Sequence, residues 1–115
     1  MRLNQDAEIS DEKLTRYLLT SKKRNDKSKW LAQAGYVLEN WAVLKDHLRR
    51  QVLPQDARLV ETTEYGKMYE IRADLEGPNG TGLPVCTIWL VDTTTGTPRF
   101  ITMYPDRKKA DRDEL

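Results

Sequence analysis

The chain has 115 residues, of which 38% are hydrophobic and 32% charged, and its formal net charge is +1. That length supplies one hydrophobic core, since typical domains run to ~100–150 residues, and no stretch of about 18 apolar residues is present to span a bilayer. Near-neutrality argues against a protein that coats nucleic acid by bulk charge alone, and the acid-bearing start MRLNQDAEIS lacks the basic and apolar segments of a secretory signal, so a cytoplasmic protein with no membrane partner is expected.

The first helix is predicted to begin at Ser10. Asp11 and Glu12 suit its first turn, Ile9 can staple onto Leu14, and Leu14, Tyr17 and Leu18 fall on one face. The segment SKKRNDKSK, residues 21–29, then holds five bases against one acid, whereas the chain up to Glu12 holds Asp6, Glu8, Asp11 and Glu12 against Arg2. Such a basic loop is either a solvated turn or a phosphate-attracting one. A short second helix is expected after Asn25-Asp26, stopped by Gly35 and burying Trp30, Leu31 and Ala34; a third, from about Asn40 to Val52, presents Trp41, Leu44 and Leu48 and is closed by Pro54. His47 lies on the flank of that helix, a position that suits a structural or solvated histidine.

Beyond Pro54 the hydrophobic period becomes two. ARLVETTE leads to GKMYEIRADLE, in which Tyr69, Ile71, Ala73 and Leu75 alternate with Met68, Glu70, Arg72 and Asp74, so one face is expected to be wet. GPNGTG is a hairpin connection, LPVCTIWLV reads as a central strand, and RFITMY follows the turn DTTTGTP. The single cysteine, Cys86, sits in the central strand as a small buried hydrophobe, and with a single histidine and no clustered ligands no metal or other cofactor is expected. The fold class is therefore α+β: two or three N-terminal helices packed on one face of a four-stranded antiparallel up-and-down sheet. Residues 1–105 form one domain in this reading, and 106–115 a charged, mobile tail.

In the last strand, strict alternation sends Ile101 and Met103 one way and Phe100, Thr102 and Tyr104 the other. If the first pair meets the helices, Thr102 and Tyr104 stand on the wet face with Glu70 and Arg72. Parity leaves Arg99 out of phase with Thr102. Trp30, Trp41 and Trp89, at periodic positions, are expected in the core rather than as stacking platforms for bases.

Tyr17-Leu18-Leu19, the basic stretch ending at Lys29, Gly35-Tyr36, Tyr65-Gly66, Gly77-Pro78-Asn79-Gly80, Thr87-Ile88-Trp89 and the closing Pro98-Arg99-Phe100-Ile101-Thr102-Met103-Tyr104-Pro105 together resemble a family of small bacterial domains of unknown function. Those domains occur alone or at the C-termini of toxin-type proteins, and their pattern carries a His-Pro and a Gly before the lysine where this chain has SKKRNDKS. The order of elements is also similar to the metal-independent ribonucleases that include barnase, colicin nucleases and RelE-like toxins, an analogy of fold.

That analogy implies a metal-independent ribonuclease toxin of a toxin–antitoxin or polymorphic toxin system. RNA, ribosome-bound or transfer RNA included, would be one partner and a cognate antitoxin or immunity protein the other. Lys29, Arg99, Thr102 and Tyr104 would supply cations and hydroxyls at the reacting phosphate, while Lys22, Lys23, Arg24, Lys27 and Arg72 would hold the RNA. The alternative is a non-catalytic protein-binding module, such as an antitoxin, immunity protein or adaptor, using the same sheet face.

Overall fold

The computed structural model describes residues 1–23 and 26–107. A helical segment, Lys13–Leu18, opens the helical half and is wound wide: the amide of Leu19 donates to the carbonyl of Leu14, five residues back, at 2.9 Å. Wide turns keep residues four apart stacked and carry the one three apart to the side. Leu14 and Leu18 are accordingly buried with Ile9, while Tyr17, expected on the same face, is 53% exposed.

Helix α1, Ser28–Ala32, buries Leu31 and leads to Gly35, whose φ of 93° ends it. Trp30 and, further along the chain, Trp41 are only partly buried, which corrects their assignment to the core proper. A tight turn, Leu38–Asn40, precedes helix α2, Trp41–His47, and wider turns continue through Leu48–Val52 before Pro54. Leu44, Leu48 and Val52 are fully buried, and the Leu48–Val52 turns pack against the second strand of the sheet. His47 Nδ1 lies 2.6 Å from the hydroxyl of the buried Tyr36, which also donates to the Glu76 carbonyl at 3.1 Å. The histidine joins helix to hairpin.

Strands β1 (Ala57–Thr63), β2 (Gly66–Glu76), β3 (Gly82–Asp92) and β4 (Pro98–Pro105) form one antiparallel sheet in chain order, the up-and-down α+β arrangement expected. Ile71, Leu75, Val85, Thr87, Trp89 and Met103 make its inner face. Thr87 is accommodated there because its hydroxyl donates to the Ile71 carbonyl at 2.9 Å and accepts from Trp89 Nε1 at 2.8 Å.

At the β2–β3 turn, a Cβ on Gly77 would stand 2.0 Å from the carbonyl oxygen of Ala34, so only glycine lets the hairpin close onto the end of α1. Gly77→Ala is expected to cost about 1–3 kcal/mol in chemical denaturation. An unchanged midpoint would mean that the hairpin does not close onto α1 in solution.

The register of β4 departs from the alternation read in the sequence. Ile88 pairs with Thr102 but Trp89 pairs with Phe100, leaving Ile101 as an extra, bulged residue. Phe100 therefore turns inward, edge-on to Trp89 with ring centroids 5.4 Å apart, and Ile101, expected in the core, is only partly buried at the strand edge. Glu8 then pairs with the outer edge of β4 through its amide, donating to Pro98, and its carbonyl, accepting from Phe100, each at 2.8 Å. Asp106, assigned to the tail from the sequence, is 4% exposed, with its amide donating to the Pro84 carbonyl; residues 108–115 lie outside the described residues.

Candidate functional site

The bulge decides which side chains share the outer face. Above it Arg99 is opposite Leu90; below it Thr102 is opposite Ile88 and Tyr104 opposite Cys86, so all three fall in phase on the face that carries Glu70 and Arg72. Arg99 had been out of phase by strict alternation.

This face is not merely wet. Glu70 is 7% exposed and is held by Arg72 through two hydrogen bonds of 3.3 and 3.2 Å, with Arg58 at 3.5 Å. Arg72 also donates to the buried Asp106 at 2.6 Å. Desolvation works against the Arg72 charge, and Glu70, with help from Asp106, more than restores it, so that its pKa is raised.

Cys86 Sγ stands 3.7 Å from a Glu70 carboxylate oxygen and 3.4 Å from the Tyr104 hydroxyl. A thiol has one hydrogen, so it donates to the carboxylate and receives from the phenol. Burial pushes the Cys86 thiol up and keeps it protonated. The hydrogen bond to Cys86, followed by burial, pushes Tyr104 up to about 12. Tyr104 is thus a proton-bearing hydroxyl at neutral pH, with its ring edge at the surface.

The basic loop meets this face at the β4 edge. Lys27 Nζ donates to Thr102 Oγ1 at 3.0 Å, across 75 residues of sequence. Burial, reinforced by the nearby Lys22, lowers the Lys27 pKa. The Asp26 carboxylate accepts from the Ser28 amide at 2.8 Å and fixes the chain where it turns into α1, next to Lys27. A cleft results, lined by Lys27, Trp30, Arg72, Tyr104 and Arg107, with Asp26 at its rim.

Of the residues proposed from the sequence, Lys27, Arg72, Thr102 and Tyr104 are brought together. Lys29 is not: it is exposed on α1 and lines a separate hollow with Ser21, Tyr36 and Glu39. Lys22 stacks its ammonium 4.5 Å over the Tyr17 ring, beside the Lys27–Thr102 pair, and Lys23 is exposed. Arg24 lies outside the described residues. Arg99 shares the face but stands roughly 13 Å along the strand from Tyr104, in a hollow with Glu8, Ser10 and Lys13.

Sequence reasoning missed Trp30 and Arg107 as cleft residues and Glu70–Arg72–Asp106 as a network. Only the parity of Glu70 and Arg72 could have hinted at the latter. Among the described residues no group of three or more His, Cys, Asp or Glu side chains is placed to hold a metal ion, and no helix is long and apolar enough to cross a membrane.

The model of the family described as a domain of unknown function, DUF6883, matches residues 3–107. The chain belongs to the DUF6883 family. This DUF6883 domain also superposes, with a TM-score of 0.61 and 20% identity, on a chain of a contact-dependent growth inhibition toxin–immunity protein complex from Klebsiella pneumoniae 342, covering 85% of the present chain and 98% of that one. At that identity the likeness is one of fold. No curated protein matches the chain.

Proposed function

We propose that this DUF6883 domain is the RNA-cleaving toxin of a bacterial toxin system and is held in check by an immunity protein. The observation that carries the reading is the Lys27–Thr102 hydrogen bond at the mouth of a cleft shared with Tyr104, Arg72 and Arg107. Metal-free cleavage of RNA needs a base, an acid and cations around the phosphate, and the cleft supplies each. Lys27, in the fraction of molecules whose amine has lost its proton, takes the proton of the 2′-hydroxyl, the O2′ attacks phosphorus, and the P–O5′ bond breaks. The phenol hydrogen of Tyr104 turns from the weakly accepting sulfur of Cys86 to the departing O5′. The products are a 2′,3′-cyclic phosphate and a 5′-hydroxyl. Arg107 and the part of the Arg72 charge not spent on its carboxylates offset the charge gathered on the phosphate, and Trp30 offers a face to a base. The toxin–immunity complex named for the similar structure supports a protein partner of the immunity type.

Lys29, proposed as catalytic from the sequence, has no part in this scheme; Lys27 takes its place. Induced expression in bacteria, with growth and RNA integrity followed together, is expected to stop growth as discrete RNA fragments accumulate. A harmless parent with intact RNA would sink the reading and favour an immunity protein or adaptor. The exposed Leu59 and Val60 on edge strand β1 would suit that second role.

A further inference from the structure

The cleft does not end at Lys27. The hollow around Lys27 and Thr102 continues past Tyr17 and Lys22 to Lys13 and Ile101, and those two residues also line the hollow that holds Arg99. Three neighbouring depressions thus follow one another as a furrow along the β4 edge, with Lys27 shared by the first two and Lys13 and Ile101 by the last two. The bulge at Ile101 creates the second overlap by keeping that side chain at the edge.

The furrow carries Arg107, Arg72, Lys27, Lys22, Lys13 and Arg99 in succession. Arg72 is largely neutralised by Glu70 and Asp106, and the remaining five face the acids Asp26, Glu8 and, near Arg99, Asp92, of which Asp26 is engaged by Ser28 and Asp92 by the amides of Thr94 and Thr95. Tyr17 and Tyr104, 53% and 37% exposed, and the partly buried Trp30 alternate with these cations, and Tyr17 already holds the Lys22 ammonium over its ring. Cations in a line with aromatic rings between them fit a polyanion whose bases are free to stack, which a duplex does not offer.

We infer that the substrate is a single-stranded RNA segment that runs along the β4 edge from the Tyr104 cleft to Lys13 and Arg99, a footprint of about four nucleotides. The inference rests on the RNA-cleaving reading for its direction, but its test reads binding alone. A fluorescein-labelled single-stranded octanucleotide of 2′-O-methyl RNA, which lacks the attacking hydroxyl, is titrated against the full chain at several salt concentrations.

Lys13→Glu with Arg99→Glu is expected to weaken binding at least tenfold and to lower the salt slope by roughly 1.4, at about 0.7 for each phosphate of a single strand left without its cation. Lys67→Glu with Arg50→Glu makes the same change of net charge away from the furrow and is expected to leave both unchanged. Equal weakening in the two double variants, tighter binding of the matching duplex, or no binding by the parent would overturn the inference. Circular dichroism of each variant separates a failure to bind from a failure to fold. Should the parent bind the strand in this way yet leave bacterial RNA intact, the furrow stands and the cleavage reading alone fails.

Discussion

Lys27→Arg is expected to lower RNA cleavage by a factor of ~10²–10⁴, the usual contribution of a positioned acid or base, and to relieve growth inhibition accordingly. Arginine keeps the charge beside Thr102 but does not give up its proton in the accessible range, so the change separates a base from a mere phosphate anchor. The pH dependence follows from the two shifts. Burial lowers Lys27, so activity rises with pH through a value below that of an ordinary lysine. Tyr104, raised to about 12, stays protonated throughout that rise, and no falling limb is expected before it.

The same shift has a signature in stability. A lysine whose pKa falls on folding disfavours the folded state while it is protonated; that penalty is present at neutral pH and fades as pH rises from the folded value toward ~10.4. Lys27→Met is therefore expected to melt no lower than the parent at neutral pH while abolishing cleavage. Retained cleavage in both lysine variants would remove Lys27 from the mechanism, and Tyr104→Phe would then show whether the phenol acts without it.

Trp89→Ala is the structural change with the largest expected effect, ~3–5 kcal/mol in denaturant unfolding. The indole is fully buried, meets Phe100 edge-on and donates to Thr87, whose own hydroxyl closes onto β2. Truncation opens a cavity and also deprives a buried hydroxyl of one partner. A destabilisation below about 1 kcal/mol would mean that the Trp89–Phe100 pair is not the centre of the core, and with it that Ile101 is not the bulged residue.

The sheet was legible because GKMYEIRADLE alternates without interruption and GPNGTG can only be a turn, so Tyr69, Ile71 and Leu75 were assigned inward as they are found. The bulge was not legible. An extra residue inside RFITMY has the same composition as a strand without one, and only the pairing of Trp89 with Phe100 reveals the change of phase. Tyr17 was misplaced because the wide winding of Lys13–Leu18 leaves no mark in a pattern read at the α-helical period. Within the basic loop no periodicity exists to rank one lysine over another. Lys27 rather than Lys29 reaches β4 because the chain turns into α1 at Ser28, which carries Lys29 away on the helix. Asp106 read as the start of a polar tail because its partner, Arg72, lies 34 residues earlier.

The Lys27–Thr102 hydrogen bond also sets an order of events. Protein synthesis delivers the loop first and β4 last, and β4 has no place to dock until the β2–β3 hairpin has formed the edge on which it pairs. The cleft is therefore the final part of the fold to exist. A nascent or truncated chain that stops short of Thr102 carries every lysine of the basic loop but has neither hydroxyl to set against them, so the loop and the last strand meet only when the whole sheet is in place.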